Sequence, residues 1–98
     1  MSGAPEQPLE APESSHELTL EEAVTVAILL QKNEEFTAVH EVYRRVLEAA
    51  PDHPRALHYA GLLAHQQQRN DEALALIERS LALQPNEADW HSNLGIVL

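Results

Sequence analysis

The side chains of this 98-residue chain with the most chemical reach are its six histidines and its paired carboxylates. His58 and His65 stand seven apart in one predicted helix, so they share a face but lie about 10 Å apart along it, at about 1.5 Å per residue. A zinc ion takes nitrogens at about 2 Å on each side. One helix cannot close that gap, and no His-x3-His pair occurs. Solvated surface histidines are the expectation, with no metal site. Ser14, Ser15 and His16 pair a nucleophile type with a base type, but they fall in a segment that cannot hold catalytic geometry. Glu21 with Glu22, Glu34 with Glu35 and Asp71 with Glu72 sit at predicted helix starts, where the helix dipole favours acids. The three glycines, Gly3, Gly61 and Gly95, build no phosphate-cradling loop. With no cysteine, disulfides and thiolate chemistry are excluded. The expectation is a chain that is not itself an enzyme and takes no cofactor.

Charge narrows the partners. Sixteen acidic against six basic residues give −10, which disfavours nucleic acid, because neutralising phosphates needs Lys and Arg. It disfavours an anionic membrane surface equally. The longest apolar stretch, Val24 to Leu30, is far short of the roughly 20 residues a bilayer requires. No positive charge precedes Lys32, so neither a secretory signal nor a transit peptide is expected. A soluble, cytoplasmic chain is expected.

These residues are positioned by helices. Residues 1–17 hold Pro5, Pro8 and Pro12 and one large apolar residue, Leu9; such composition cannot offset its ordering entropy and predicts a disordered acidic tail. From residue 18 the pattern is helical. Thr19 with Glu22 three residues later forms a capping box, and Ala23, Val26, Ala27 and Leu30 follow at helical spacing. A second helix is predicted over Phe36 to Ala49, stopped by Pro51 and Pro54. A third runs from Arg55 to Gln68. Capping oxygens on Asn70 and Asp71 open a fourth, which runs to about Leu83, and Pro85 and Asn86 precede a fifth. Nothing alternates with the period of a strand.

Self-comparison sharpens this. Moving the sequence along itself by 34 lays Pro51 on Pro85, Leu47 on Leu81, Arg45 on Arg79 and Gly61 on Gly95. The same shift aligns apolar triplets: Val26, Ala60, Leu94; Ile28, Leu62, Ile96; Leu29, Leu63, Val97; Leu30, Ala64, Leu98. A helix hairpin repeated in tandem, each burying a face against the next, is the physical content. Repeats at 20–53 and 54–87 are followed by the first helix of a third at 88–98, about 2.3 units within 18–98.

The sequence resembles the tetratricopeptide repeat family. The second unit reads Leu57-x2-Ala60-Gly61-x2-Ala64, then Ala73-x3-Ile77, Leu81 and Pro85; the third carries Trp90, Leu94 and Gly95; the first is the weakest, without the glycine and with Val39 at the usual small position. The resemblance implies an all-α right-handed superhelix of antiparallel hairpins. In it Gly61, Gly95 and Ala27 admit a close helix, Ala73 does so from the facing helix, Tyr43 and Ile77 fill the space between hairpins, and Pro51 and Pro85 set the turns. It also implies a concave groove lined by the first helix of each hairpin. Mapped here, that groove would present Glu21, Val24, Ile28, Gln31 and Lys32; then Arg55, His58, Leu62, His65 and Gln66; then Asp89, Ser92 and Ile96. Chaperone-binding members carry a Lys, Arg and Asn clamp, which Val24, Thr25, His58 and Tyr59 do not reproduce. Asn93 matches the asparagine ladder of O-linked N-acetylglucosamine transferase arrays, while Tyr59 and Thr25 do not.

The implied function is a scaffold whose groove binds a polypeptide, with a basic or apolar segment favoured by the chain's charge. The runs Ala56 to Gln66 and Asn86 to Gly95 are also similar to the opening repeats of bacterial proteins that carry a glycosyltransferase or sulfotransferase domain. That leaves a second reading, the substrate-recognition region of such an enzyme. The mid-helix end at Leu98 predicts a fragment of a longer solenoid, with weak self-association through the last helix.

Overall fold

A computed structural model describes residues 18–98; the tail expected for 1–17 lies outside them. The chain forms α1 (Leu20–Lys32), α2 (Phe36–Ala49), α3 (Pro54–Gln66), α4 (Asn70–Leu83) and α5 (Ala88–Val97), with no strand among the described residues. α1 packs on α2, α3 on α4, and α5 on α4. α3 also touches both α1 and α5, whereas α2 and α4 do not meet. The odd-numbered helices therefore lie side by side on one surface and α2 and α4 diverge on the other. The array is an all-α superhelix of hairpins.

Local chemistry fixes the helix ends. At α1 the Thr19 hydroxyl accepts from Glu22 N–H at 3.0 Å while the Glu22 carboxylate accepts from Thr19 N–H at 2.9 Å. At α3 proline occupies the first turn, where its missing donor costs nothing, and His53 Nδ1 accepts from Ala56 N–H at 3.2 Å. The helix expected from Arg55 thus begins at Pro54, and it ends at Gln66 rather than Gln68. The capping role expected of Asn70 and Asp71 is not observed: Arg69 precedes α4 and makes no side-chain cap. Asn70 Oδ1 instead lies 3.1 Å from His65 Nδ1.

The two hairpin turns are copies of each other. Glu34 at φ 62° and Gln68 at φ 64°, one repeat apart, hold left-handed backbone. Glu34 N–H bonds Gln31 O and Glu35 N–H bonds Leu30 O; Gln68 N–H bonds His65 O and Arg69 N–H bonds Ala64 O. This is a Schellman closure, which satisfies the carbonyls left over at a helix end.

The core follows the repeat. Val24, Ala27, Val39, Tyr43, Val46 and Leu63 bury together between α1, α2 and α3, and Ile77, Leu81 and Trp90 join α4 to α5. Gly61 lies so close to α4 that a Cβ there would stand 2.7 Å from Ile77 Cγ1 and 3.2 Å from Ala73 O. Ala73 and Ile77 are themselves fully buried. Gly95, one repeat later, faces open space instead: a Cβ would meet nothing within 4 Å. The close approach expected at Gly95 is therefore not made. Pro51 and Pro85 lie exposed in the turns after α2 and α4.

Candidate functional site

Because α1, α3 and α5 are neighbours, side chains one repeat apart line up across them. Ile28, Leu62 and Ile96 border one open, mostly apolar trough of about 310 Å³, with Tyr59 as a wall and Lys32, His65 and Gln66 toward the helix C-termini. Ile28 and Leu62 are half-buried, and Ile96 is 67% exposed. Tyr59 also borders a polar recess of about 420 Å³ near the N-termini of α3 and α5, shared with Arg55, Glu87, Asp89, Trp90 and Asn93. Ser92 is exposed on α5 and borders neither space.

The charges of this surface are unevenly engaged. Arg55 donates to Glu21 Oε1 at 2.6 Å and to Thr25 Oγ1 at 3.3 Å, tying α3 to α1. His53 Nε2 lies 2.8 Å from Glu21 Oε2. Arg55, and to a lesser degree His53, hold the Glu21 carboxyl below the usual carboxylate range. Asp89 and Glu87, both exposed, have no ion-pair partner among the described residues. Glu87 stands at the start of α5 without bonding a backbone N–H there.

Two positions mapped to the groove are inside the protein. Val24 and His58, one repeat apart, are each 0% exposed. At this repeat position the side chain points at the neighbouring hairpin, so neither is available to a partner. The expectation of solvated histidines fails for His58 and for His53, which is 8% exposed. The His58 ring stacks on Trp90, centroids 4.4 Å apart and planes 10° from parallel, and meets Tyr59 edge-on at 5.0 Å. Asn93 Nδ2 lies 3.0 Å from His58 Nε2. An amide can turn either its nitrogen or its oxygen toward this ring atom, so the contact serves either neutral tautomer, while Nδ1 is buried without a partner. Burial pushes the His58 pKa down to about 4.

Gln31 forms part of the trough floor while being 7% exposed. Its Oε1 accepts from Tyr43 O–H at 2.8 Å, and its Nε2 donates to Gln66 Oε1 at 2.9 Å and Tyr59 O at 3.4 Å. The Tyr43 hydroxyl is thereby satisfied inside the core, where burial raises its pKa well above the ordinary value. Tyr59 is the groove residue that composition alone did not single out. Its signal was positional, since it lies one repeat after Thr25 and one before Asn93.

What the arrangement can do chemically is bind. It offers an apolar slot, an aromatic wall and a polar recess. Among the described residues no three His, Cys, Asp or Glu side chains converge as a metal site. No helix of the described residues is long and apolar enough to cross a membrane.

The tetratricopeptide repeat profile matches residues 27–98. Among solved structures, the chain is similar to an O-GlcNAc transferase of Thermobaculum terrenum, a point mutant, with a TM-score of 0.77 and 37% identity. The match covers 81% of this chain and 15% of that one, so the chain spans a small part of that protein's length. No curated protein sequence matches.

Proposed function

The chain belongs to the tetratricopeptide repeat family, whose repeats generally mediate protein–protein interaction, and we propose that it is a non-catalytic scaffold binding a polypeptide segment in the groove of α1, α3 and α5. The observation that carries this is the trough bordered by Ile28, Leu62 and Ile96, an apolar surface left open at equivalent positions of three helices. These apolar groups would gain from being covered, since burial returns about 25 cal/mol per Å². The net charge of −10 favours a basic or apolar segment. In this reading the repeats run over 20–53 and 54–87, with a further first helix at 88–98.

A peptide array probed with the full chain tests it. Leu62→Ser and Ile96→Ser should each weaken retention of the peptides bound by the unaltered chain. Arg44→Ala, on α2 away from the trough, should leave retention unchanged. Retention indifferent to Leu62 and Ile96 but lost with Arg44 would place binding elsewhere.

A second reading is favoured by the 37% identity to a glycosyltransferase: the repeats would form the substrate-recognition region of a larger glycosyltransferase or sulfotransferase. Reading the coding sequence beyond Leu98 tests that; a stop codon with no catalytic domain would sink it. Exposed Ile96 and Leu98, at 67% and 80%, also support weak self-association through α5. A strict monomer in sedimentation at hundreds of micromolar would exclude it.

A further inference from the structure

The trough and the recess share the Tyr59 wall, and α5 contributes to both. Ile96 borders the trough and Asp89 the recess. Seven positions apart, they share a helix face and lie about 10 Å from each other along it. The two ends of this strip differ in charge. Asp89 and Glu87 have no basic partner among the described residues, and the cation nearest them in the recess, Arg55, is committed to Glu21. Lys32 stands at the opposite end, beside the trough.

We propose that the groove selects an extended segment bearing an aliphatic side chain and, three residues away, a lysine or arginine: the aliphatic group in the trough of Ile28, Leu62 and Ile96, the cation against Asp89 and Glu87. This rests on the groove reading above and adds the chemistry of the occupant. In the polyproline II form of extended chain three residues complete one turn and advance about 9 Å, so both side chains face the groove near the spacing of about 10 Å between the two attachments. Tyr59, between them, gives the hydrocarbon stem of Lys or Arg an apolar surface to lie along while its charged end reaches the carboxylates. An acidic residue at that place would meet two like charges, and a second aliphatic group would cover carboxylates without pairing them. Either chain direction satisfies this spacing.

Three synthetic peptides test the inference by NMR titration of the full chain into the millimolar range: acetyl-Gly-Leu-Gly-Ser-Arg-Gly-amide, the same with Glu for Arg, and the same with Ser for Leu. The Arg peptide should shift the signals of Ile28, Leu62 and Ile96 and bind about fivefold more tightly than the Glu peptide, the size of one exposed ion pair. The Ser peptide should bind more weakly than either. Asp89→Lys combined with Glu87→Gln, both at exposed positions, should reverse the preference to the Glu peptide, with the helical circular dichroism unchanged. Equal affinity for the Arg and Glu peptides, with loss only on removing Leu, overturns the inference and leaves the groove reading standing. No shift at the trough with any of the three overturns both.

Discussion

His58 and Trp90 lie face to face, 4.4 Å between ring centroids, with the imidazole wholly inside the protein. This stack is the seam between the second hairpin and α5, and Asn93 closes it from the groove side by its contact with Nε2. A residue type associated with catalysis or metals is here a packing element that must stay neutral. Its burial is what disfavours the charged ring.

That seam makes stability depend on pH in a definite window. The His58 pKa falls from an ordinary 6.5 to about 4 in the folded chain because burial disfavours the cation. Between those values the unfolded chain binds the proton and the folded chain does not, so stability rises with pH. The contribution is complete above about pH 6.5, declines as pH falls toward 4 and is lost below it; its size is at most about 3 kcal/mol. Glu21, held below its ordinary 4.5, acts only in the more acidic range. Urea denaturation at closely spaced pH values should show the slope between 6.5 and 4. His58→Phe keeps an aromatic ring against Trp90 and should remove it; an unchanged slope in that variant would assign the effect elsewhere.

Gly61 and Gly95 occupy equivalent repeat positions but should respond oppositely to the same change. Gly61→Ala drives a Cβ against Ile77 Cγ1 and the Ala73 carbonyl, both inside the core. It should cost about 1–3 kcal/mol, and Gly61→Leu more. Gly95→Ala meets open space and should gain up to about 1 kcal/mol from helix propensity. A melting temperature for Gly61→Ala that rises together with that of Gly95→Ala would contradict the placement of α4 against Gly61.

The hairpin turns offer a stabilising change. Glu34 and Gln68 carry side chains in left-handed backbone, which glycine adopts without steric cost. Glu34→Gly and Gln68→Gly should each raise stability by about 0.5–1 kcal/mol, read as a higher melting temperature. A drop at both sites would mean that these side chains make contacts outweighing their backbone strain.

Much of the fold was legible in the sequence. The capping box at Thr19, the prolines at 51, 54 and 85 and the repeat period located five helices, because capping and proline chemistry act locally. Less of the groove was legible. Helical periodicity states that Val24 and His58 share a face with Ile28 and Leu62, but not how much of that face a neighbouring hairpin covers. Trp90 is what hides His58, and it comes from the next repeat. The partners of Gln31 are equally remote: Tyr43, Tyr59 and Gln66 reach it from α2 and α3. The caps at Asn70 and Asp71 failed for a related reason, since the turn closes through the backbone of Gln68 and Arg69 and Asn70 Oδ1 lies against His65.

The absence of contact between α2 and α4 has a mechanical consequence. On that outer side a cleft of about 320 Å³ opens between Leu47 and Leu76, floored by Ala60 and Leu63 of α3, while the inner helices already touch. On that side Arg79 ties α4 to the turn after α2, donating to Pro51 O at 3.1 Å and to Asp52 Oδ1 at 3.3 Å. The joint between the two hairpins is therefore carried by α3, packed on α1 and α2, rather than by the outer helices packing on each other.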